Sequence, residues 1–178
     1  MTFTKSRPGK QWEAQVGQAL RKVAGHVCNS NNEKPACDWR AVHQGASVLV
    51  ECKETESAEL RFDAITDGEY THLCNHTLAG GISLVLVSRV GPNWRRAWAC
   101  TWPDWQQLER AFGRPKSQSG LRKVSLALGG KLCLDPAPLC FVELGRVGEA
   151  WDLSPWLPRG EGCETVPARV AAWDEVGL

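Results

Sequence analysis

Apolar positions along this chain change period several times, and each change marks an element. Over residues 10 to 26, Trp12, Val16, Leu20 and Val23 recur at helical spacing. Glu13 lies three before Val16 and seven before Leu20, so it is either an inward-facing site residue or the edge of a solvated face. A polar loop spans residues 29 to 35. Residues 39 to 42 and 47 to 50 then read as short strands around the tight loop His43-Gln44-Gly45-Ala46. A second helical pattern covers residues 62 to 78, interrupted at Gly68 and closed by Gly80-Gly81. Residues 82 to 87 form a continuous apolar run, as expected of a central strand buried on both faces. A strand near residues 97 to 101 follows, and Pro103 and Gly113 delimit a short helix over 104 to 112. After a polar loop, Arg122-Lys123 opens a last β region ending at Glu143. Beyond Gly145 the periodicity dissolves. Trp151, Trp156 and Trp173 in this tail pack on the body or a partner, or the tail stays partly disordered.

The hairpin places chemistry. Pairing about a centre between Gln44 and Gly45 sets Val42 opposite Ser47, Arg40 opposite Leu49 and Asp38 opposite Glu51. Side chains alternate along a strand, so Lys53 shares the face of Glu51, whereas Val48, Val50 and Cys52 point into a core. Two carboxylates with Cβ atoms roughly 5 Å apart destabilise a sheet unless positive charge lies between them. A divalent cation suits that position, with Lys53 as a further positive charge. Glu-x-Lys alone is common on half-solvated strands; the acid at hairpin register is what turns it into a candidate site.

At 178 residues the chain suits one domain with a hydrophobic core of its own, expected over residues 1 to 146, followed by an acidic extension over 147 to 178. Lys and Arg number 21 against 20 acids, but the extension holds two Arg and six acids, which leaves the body at +5. A basic body is compatible with a polyanion and equally with an ordinary mixed surface. Eight cysteines form no Cys-x-x-Cys pair, no apolar leader stands at the start and no stretch is long enough to span a membrane, so a reduced, cytoplasmic protein is expected. Four of nine tryptophans fall between 94 and 105. They can stack on bases, but a packed strand-helix corner accounts for them more simply.

The order of elements is that of the PD-(D/E)XK nuclease core, an α/β, restriction-endonuclease-like fold with a mixed central sheet flanked by helices. Residues 37 to 87 resemble the RecU group of Holliday-junction resolvases: Asp38-Trp39, Gly45, Glu51-Cys52-Lys53-Glu54-Thr55, Leu60-Arg61-Phe62, His72-Leu73 and Gly80-Gly81-Ile82 match its pattern. Weaker echoes extend the likeness over residues 7 to 143. Two features depart from the group. Gly68-Glu69 stands where it has His-Gln, leaving Glu69 as an added metal ligand or a polar support, and the segment between Cys28 and Cys37 is short where the group has a stalk. The resemblance implies a homodimeric endonuclease acting on DNA, four-way junctions foremost, with 5′-phosphate and 3′-hydroxyl products and no membrane association. Asp38, Glu51 and the Cys52 carbonyl would bind Mg²⁺, for which Mn²⁺ could substitute. Lys53 would orient or deprotonate the attacking water or stabilise developing charge, and Glu13 would bind through water or complete a second metal position. Arg7, Lys10, Lys116, Arg122 and Lys123 are expected phosphate contacts. The alternatives are a general repair or restriction-like endonuclease and a noncatalytic nucleic-acid-binding module.

Overall fold

The strand-loop-strand pattern after Asp38 folds around a two-residue turn. In the computed structural model, which describes residues 9–29, 37–111, 131–134, 137 and 140–158, Gln44 and Gly45 both adopt positive φ, 48° and 81°. Such turns carry the twist of the strands they join. The loop is therefore tighter than the expected four residues. Strand β2 (Trp39–His43) and strand β3 (Ala46–Thr55) each gain a residue at the tip, and β3 continues through the Glu-x-Lys segment.

Upstream, helix α1 (Lys10–Val23) buries Trp12, Val16, Ala19 and Leu20. It ends earlier than its apolar spacing predicts. Ala24 is already extended, and the Gly25 N–H donates to the Val42 carbonyl at 3.1 Å, which starts an edge strand, β1 (His26–Asn29), antiparallel to β2. Downstream, β4 (Glu59–Arg61) leads to a 3₁₀ turn over Phe62–Ala64. Helix α2 (Asp67–Leu78) begins later than expected because Thr66 forms a capping box: its hydroxyl accepts the Glu69 N–H, and the Glu69 carboxylate accepts the Thr66 N–H. Strand β5 (Ile82–Val90) lies parallel to β3, buried on both faces as the apolar run predicts. Strand β6 (Arg95–Thr101) returns antiparallel. Helix α3 (Trp102–Ala111) starts two residues before the expected position, since the Thr101 hydroxyl accepts the Asp104 N–H and donates to its carboxylate.

Strand β7 (Lys131–Cys133) pairs with β4 as a separate ribbon. Strand β8 (Val142–Glu143) closes the main sheet, whose order is β1-β2-β3-β5-β6-β8. The fold is thus mixed α/β, as the sequence pattern predicts. A small hairpin of β9 (Arg146–Val147) and β10 (Ala150–Trp151) follows. It carries the core past the boundary expected at residue 146. Trp151 meets Trp12 edge-on at 5.7 Å and its indole N–H donates to the side-chain Oε1 of Gln15, while Leu153, Trp156 and Leu157 are buried with it.

Two apolar layers sandwich the sheet. One joins α1 and the β10 region to Val48, Val50, Cys52, Leu84, Leu86 and Ala99. The other joins α2 and α3 to Leu49, Val85, Val87, Trp98 and Cys100. Trp98, Trp102 and Trp105 are fully enclosed in the second layer, so most of the tryptophan cluster is packing. Among the described residues no helix is long and apolar enough to cross a membrane.

Candidate active site

The β2–β3 ladder runs His43↔Ala46, Val42↔Ser47, Ala41↔Val48, Arg40↔Leu49, Trp39↔Val50. One step further the same register sets Asp38 against Glu51. Asp38 has turned inward to use that position, its Oδ2 accepting the backbone N–H of Cys52 at 2.8 Å. Glu51 belongs to the α2/α3 side of β3, since its neighbours Val48, Val50 and Cys52 fill the opposite layer. That side is packed rather than half-solvated, and Glu51 is only 2% exposed.

Lys53 fills the gap between two acids. Its Nζ stands 2.7 Å from Glu51 Oε1 and 3.1 Å from Glu69 Oε2. Glu69 is thereby tied at two points, because the same oxygen accepts the Thr66 N–H at 2.7 Å. The helix cap of α2 and the orientation of the site lysine are one structure, and Glu69 sits as a polar support for Lys53. Glu51 Oε2 is buried without a hydrogen-bond partner. An orphaned carboxylate oxygen in an apolar wall costs free energy unless a cation or proton meets it.

The electrostatics agree. Burial above all pushes the Glu51 carboxyl up to about 8, with Lys53 pulling it down and Asp38 and Glu69 raising it further. Asp38 is also raised, mainly by burial, against the opposing effect of the Cys52 N–H. Burial works against the charge on Lys53, but Glu51 and Glu69 outweigh it and hold the ammonium above the ordinary lysine range. Nearby thiols are unreactive: burial raises Cys37 to about 12 and Cys52 well above its usual value. Thiolate ligation is correspondingly disfavoured.

Glu13 reaches this neighbourhood through Trp39. The indole lies against Gly17 so closely that a Cβ there would stand 2.2 Å from the ring, so glycine is required. Its Nε1 donates to the Glu13 carbonyl at 3.0 Å, and Arg21 covers the ring at 5.0 Å. This clamp draws the first turn of α1 toward Asp38, whose carboxyl the Glu13 charge raises. The Glu13 carboxylate itself pairs with Lys10 at 2.7 Å, so Lys10 is partly committed within the chain. Among the described residues no three His, Cys, Asp or Glu side chains gather around one metal position. The Asp38 and Glu51 carboxylates are the groups that could hold an ion here. These are hard oxygens, and the unpaired Oε2 fits them to a Mg²⁺-like cation. Arg7, Lys116, Arg122 and Lys123 lie outside the described residues.

Two groups have no place in the sequence reading. Glu54, adjacent to Lys53, accepts the Gly9 N–H at 3.1 Å and pairs with Arg95 at 2.5 Å, anchoring the start of α1 to the site strand. Only its repetition of the acid after Lys53 hinted at this. Arg40 is an exposed cation two residues from Asp38 on the same face, with no ion pair among the described residues. Strand alternation alone could have found it.

Comparison of the chain with protein-family models and with curated proteins finds no match. Among solved structures it is similar to Hjc of Archaeoglobus fulgidus, a Holliday junction resolvase from an archaeal hyperthermophile. Identity is 14%, the TM-score is 0.45, and the alignment covers 76% of this chain and 95% of that one. A likeness of this degree concerns the course of the chain and carries nothing about chemistry.

Proposed function

We propose that this protein is a Mg²⁺-dependent DNA endonuclease that acts on branched DNA, four-way junctions foremost, as a two-fold dimer. The observation that carries the reading is Glu51: a buried carboxylate at hairpin register with Asp38, one oxygen on Lys53 and the other without a partner. A purely structural Glu-Lys pair would leave no second acid beside it and no orphaned oxygen. The resemblance of residues 37 to 87 to the RecU resolvases supplies the substrate class and the expectation of 5′-phosphate and 3′-hydroxyl ends.

Asp38, Glu51 and the Cys52 carbonyl are the residues that would hold the ion. When bound, Mg²⁺ would acidify a water and polarise a phosphoryl oxygen. Lys53, kept cationic by Glu51 and Glu69, suits orienting that water and stabilising charge on the scissile phosphate better than removing a proton. Glu13 would assist from α1 through water. Arg40, with Arg7, Lys10, Lys116, Arg122 and Lys123, would contact flanking phosphates. A dimer suits the near two-fold symmetry of a four-way junction.

The second reading, a general endonuclease, is favoured by the short Cys28 to Cys37 segment, which offers little to insert at a junction centre. Cleavage of a four-way junction, a fork, a plain duplex and single-stranded DNA by one preparation separates the two. Paired symmetric nicks in the junction are expected. A monomer cutting plain duplex as readily as junctions would replace resolvase action with the general activity.

A further inference from the structure

Of the tryptophans clustered between 94 and 105, Trp94 alone is exposed, at 43%. Its place is set by the sheet. Strands β3 and β5 run parallel, so their C-terminal ends lie together, and Thr55 is paired with Arg89. Alternation puts Arg89 on the same face as Glu51, Lys53 and Thr55. Beyond it the chain turns tightly, the Gly91 N–H donating to the Trp94 carbonyl at 2.9 Å. The indole is held on two sides. The Arg89 guanidinium lies over the ring, 5.1 Å from its centroid, and Gly91 packs against the ring so closely that a Cβ there would stand 2.1 Å from its Cε2. Arg89 is about 8 Å from Lys53 along and across the strands. The ring is therefore roughly two to four nucleotide spacings, of about 3.4 Å each, from the proposed scissile phosphate.

A half-exposed indole braced by a cation and a glycine has the features of a base-stacking platform. Resting on the endonuclease reading above, we propose that Trp94 stacks on an unpaired base of the DNA close to the cleavage site and so selects substrates with unstacked nucleotides at a branch. Bases inside an intact duplex present no free face to it. Trp94 is thus a specificity-determining residue of the Asp38/Glu51/Lys53 site, and it touches the substrate away from the reacting atoms.

The test uses the full chain in EDTA, with a forked DNA bearing 2-aminopurine at successive unpaired positions and a blunt duplex as the comparison. Trp94→Ala should weaken fork binding about tenfold and duplex binding less than twofold. Trp94→Phe should restore most of the difference. Wild-type and Phe proteins should quench 2-aminopurine at one position near the branch, and the Ala variant should not. Equal binding by wild type and Trp94→Ala, equal losses on fork and duplex, or a dimer in sedimentation that becomes a monomer on Trp94→Ala would each overturn the proposal. The last result would assign the ring to a second copy. If the wild type binds DNA in EDTA and cuts it once Mg²⁺ is added while Trp94→Ala behaves identically, this inference alone fails. If the wild type binds no DNA, the endonuclease reading fails with it.

Discussion

Strand β3 presents two opposite environments from one run of residues. Val48, Val50 and Cys52 enter a dry layer completed by Trp12, Leu20, Leu86 and Trp151. Leu49, Glu51 and Lys53 face α2 and α3, where the apolar packing is interrupted by Asp38, Glu69 and the hydroxyls around His76. The first layer gains free energy from every contact. The second accepts a raised carboxyl and an unpaired oxygen in its wall. Natural folds tolerate such local conflict where a site requires it.

The contrast is sharpest under mutation. Leu86→Ala in the dry layer should lose about 2–5 kcal/mol of stability while folded molecules keep their activity. Glu51→Gln on the other side should leave metal-free stability unchanged or higher above about pH 8, where it removes a buried charge. Urea unfolding of both variants in EDTA decides this; a Glu51→Gln protein as unstable as Leu86→Ala would make the polar side a structural core like the other. Next in size, Lys53→Ala should lower turnover at saturating Mg²⁺ by roughly 100-fold or more, with little change in the Mg²⁺ concentration needed. A shifted Mg²⁺ titration with normal turnover would assign Lys53 to the fold.

How far was this contrast legible in the residues? The hairpin register was, because two short β runs about Gln44-Gly45 allow few pairings and a one-residue slip would expose Val48 and Val50. So was β5, whose apolar run is unbroken. Element ends were less so: α2 starts where Thr66 and Glu69 cap each other, and β1 is a four-residue edge strand with too little alternation to announce itself. Which of its two expected roles Glu69 takes could not be read, since its contact with Lys53 depends on how α2 meets β3 in space. The packing of residues 150–157 was similarly hidden, its tryptophans being matched to Trp12 far away in sequence.

A smaller effect follows from the raised Glu51 carboxyl. Its folded value of about 8 lies above the ordinary 4.5, so the folded state holds the proton more tightly than the unfolded chain. Stability from this group is fully present below about 4.5 and is lost as pH rises through about 8. Metal-free protein should therefore weaken by on the order of a few kcal/mol across that window, and Glu51→Gln should flatten the dependence. Urea midpoints from pH 5 to 8.5 in EDTA measure it; identical slopes in the two proteins would contradict the burial of a titrating Glu51. The smallest expected change belongs to Arg40, exposed on the same face of β2. Arg40→Ala should reduce the salt slope of duplex binding by about 0.9, and an unchanged slope would place Arg40 away from the DNA.

The central claim, that the two carboxylates of this hairpin support metal-dependent cleavage, is tested most directly by incubating four-way-junction DNA with wild type, Asp38→Asn and Glu51→Gln, with Mg²⁺ and with EDTA. Cleavage by the wild type only when Mg²⁺ is present, and none by either variant while both still bind the junction, is the predicted result. Undiminished cleavage in EDTA, or by either variant, would contradict it.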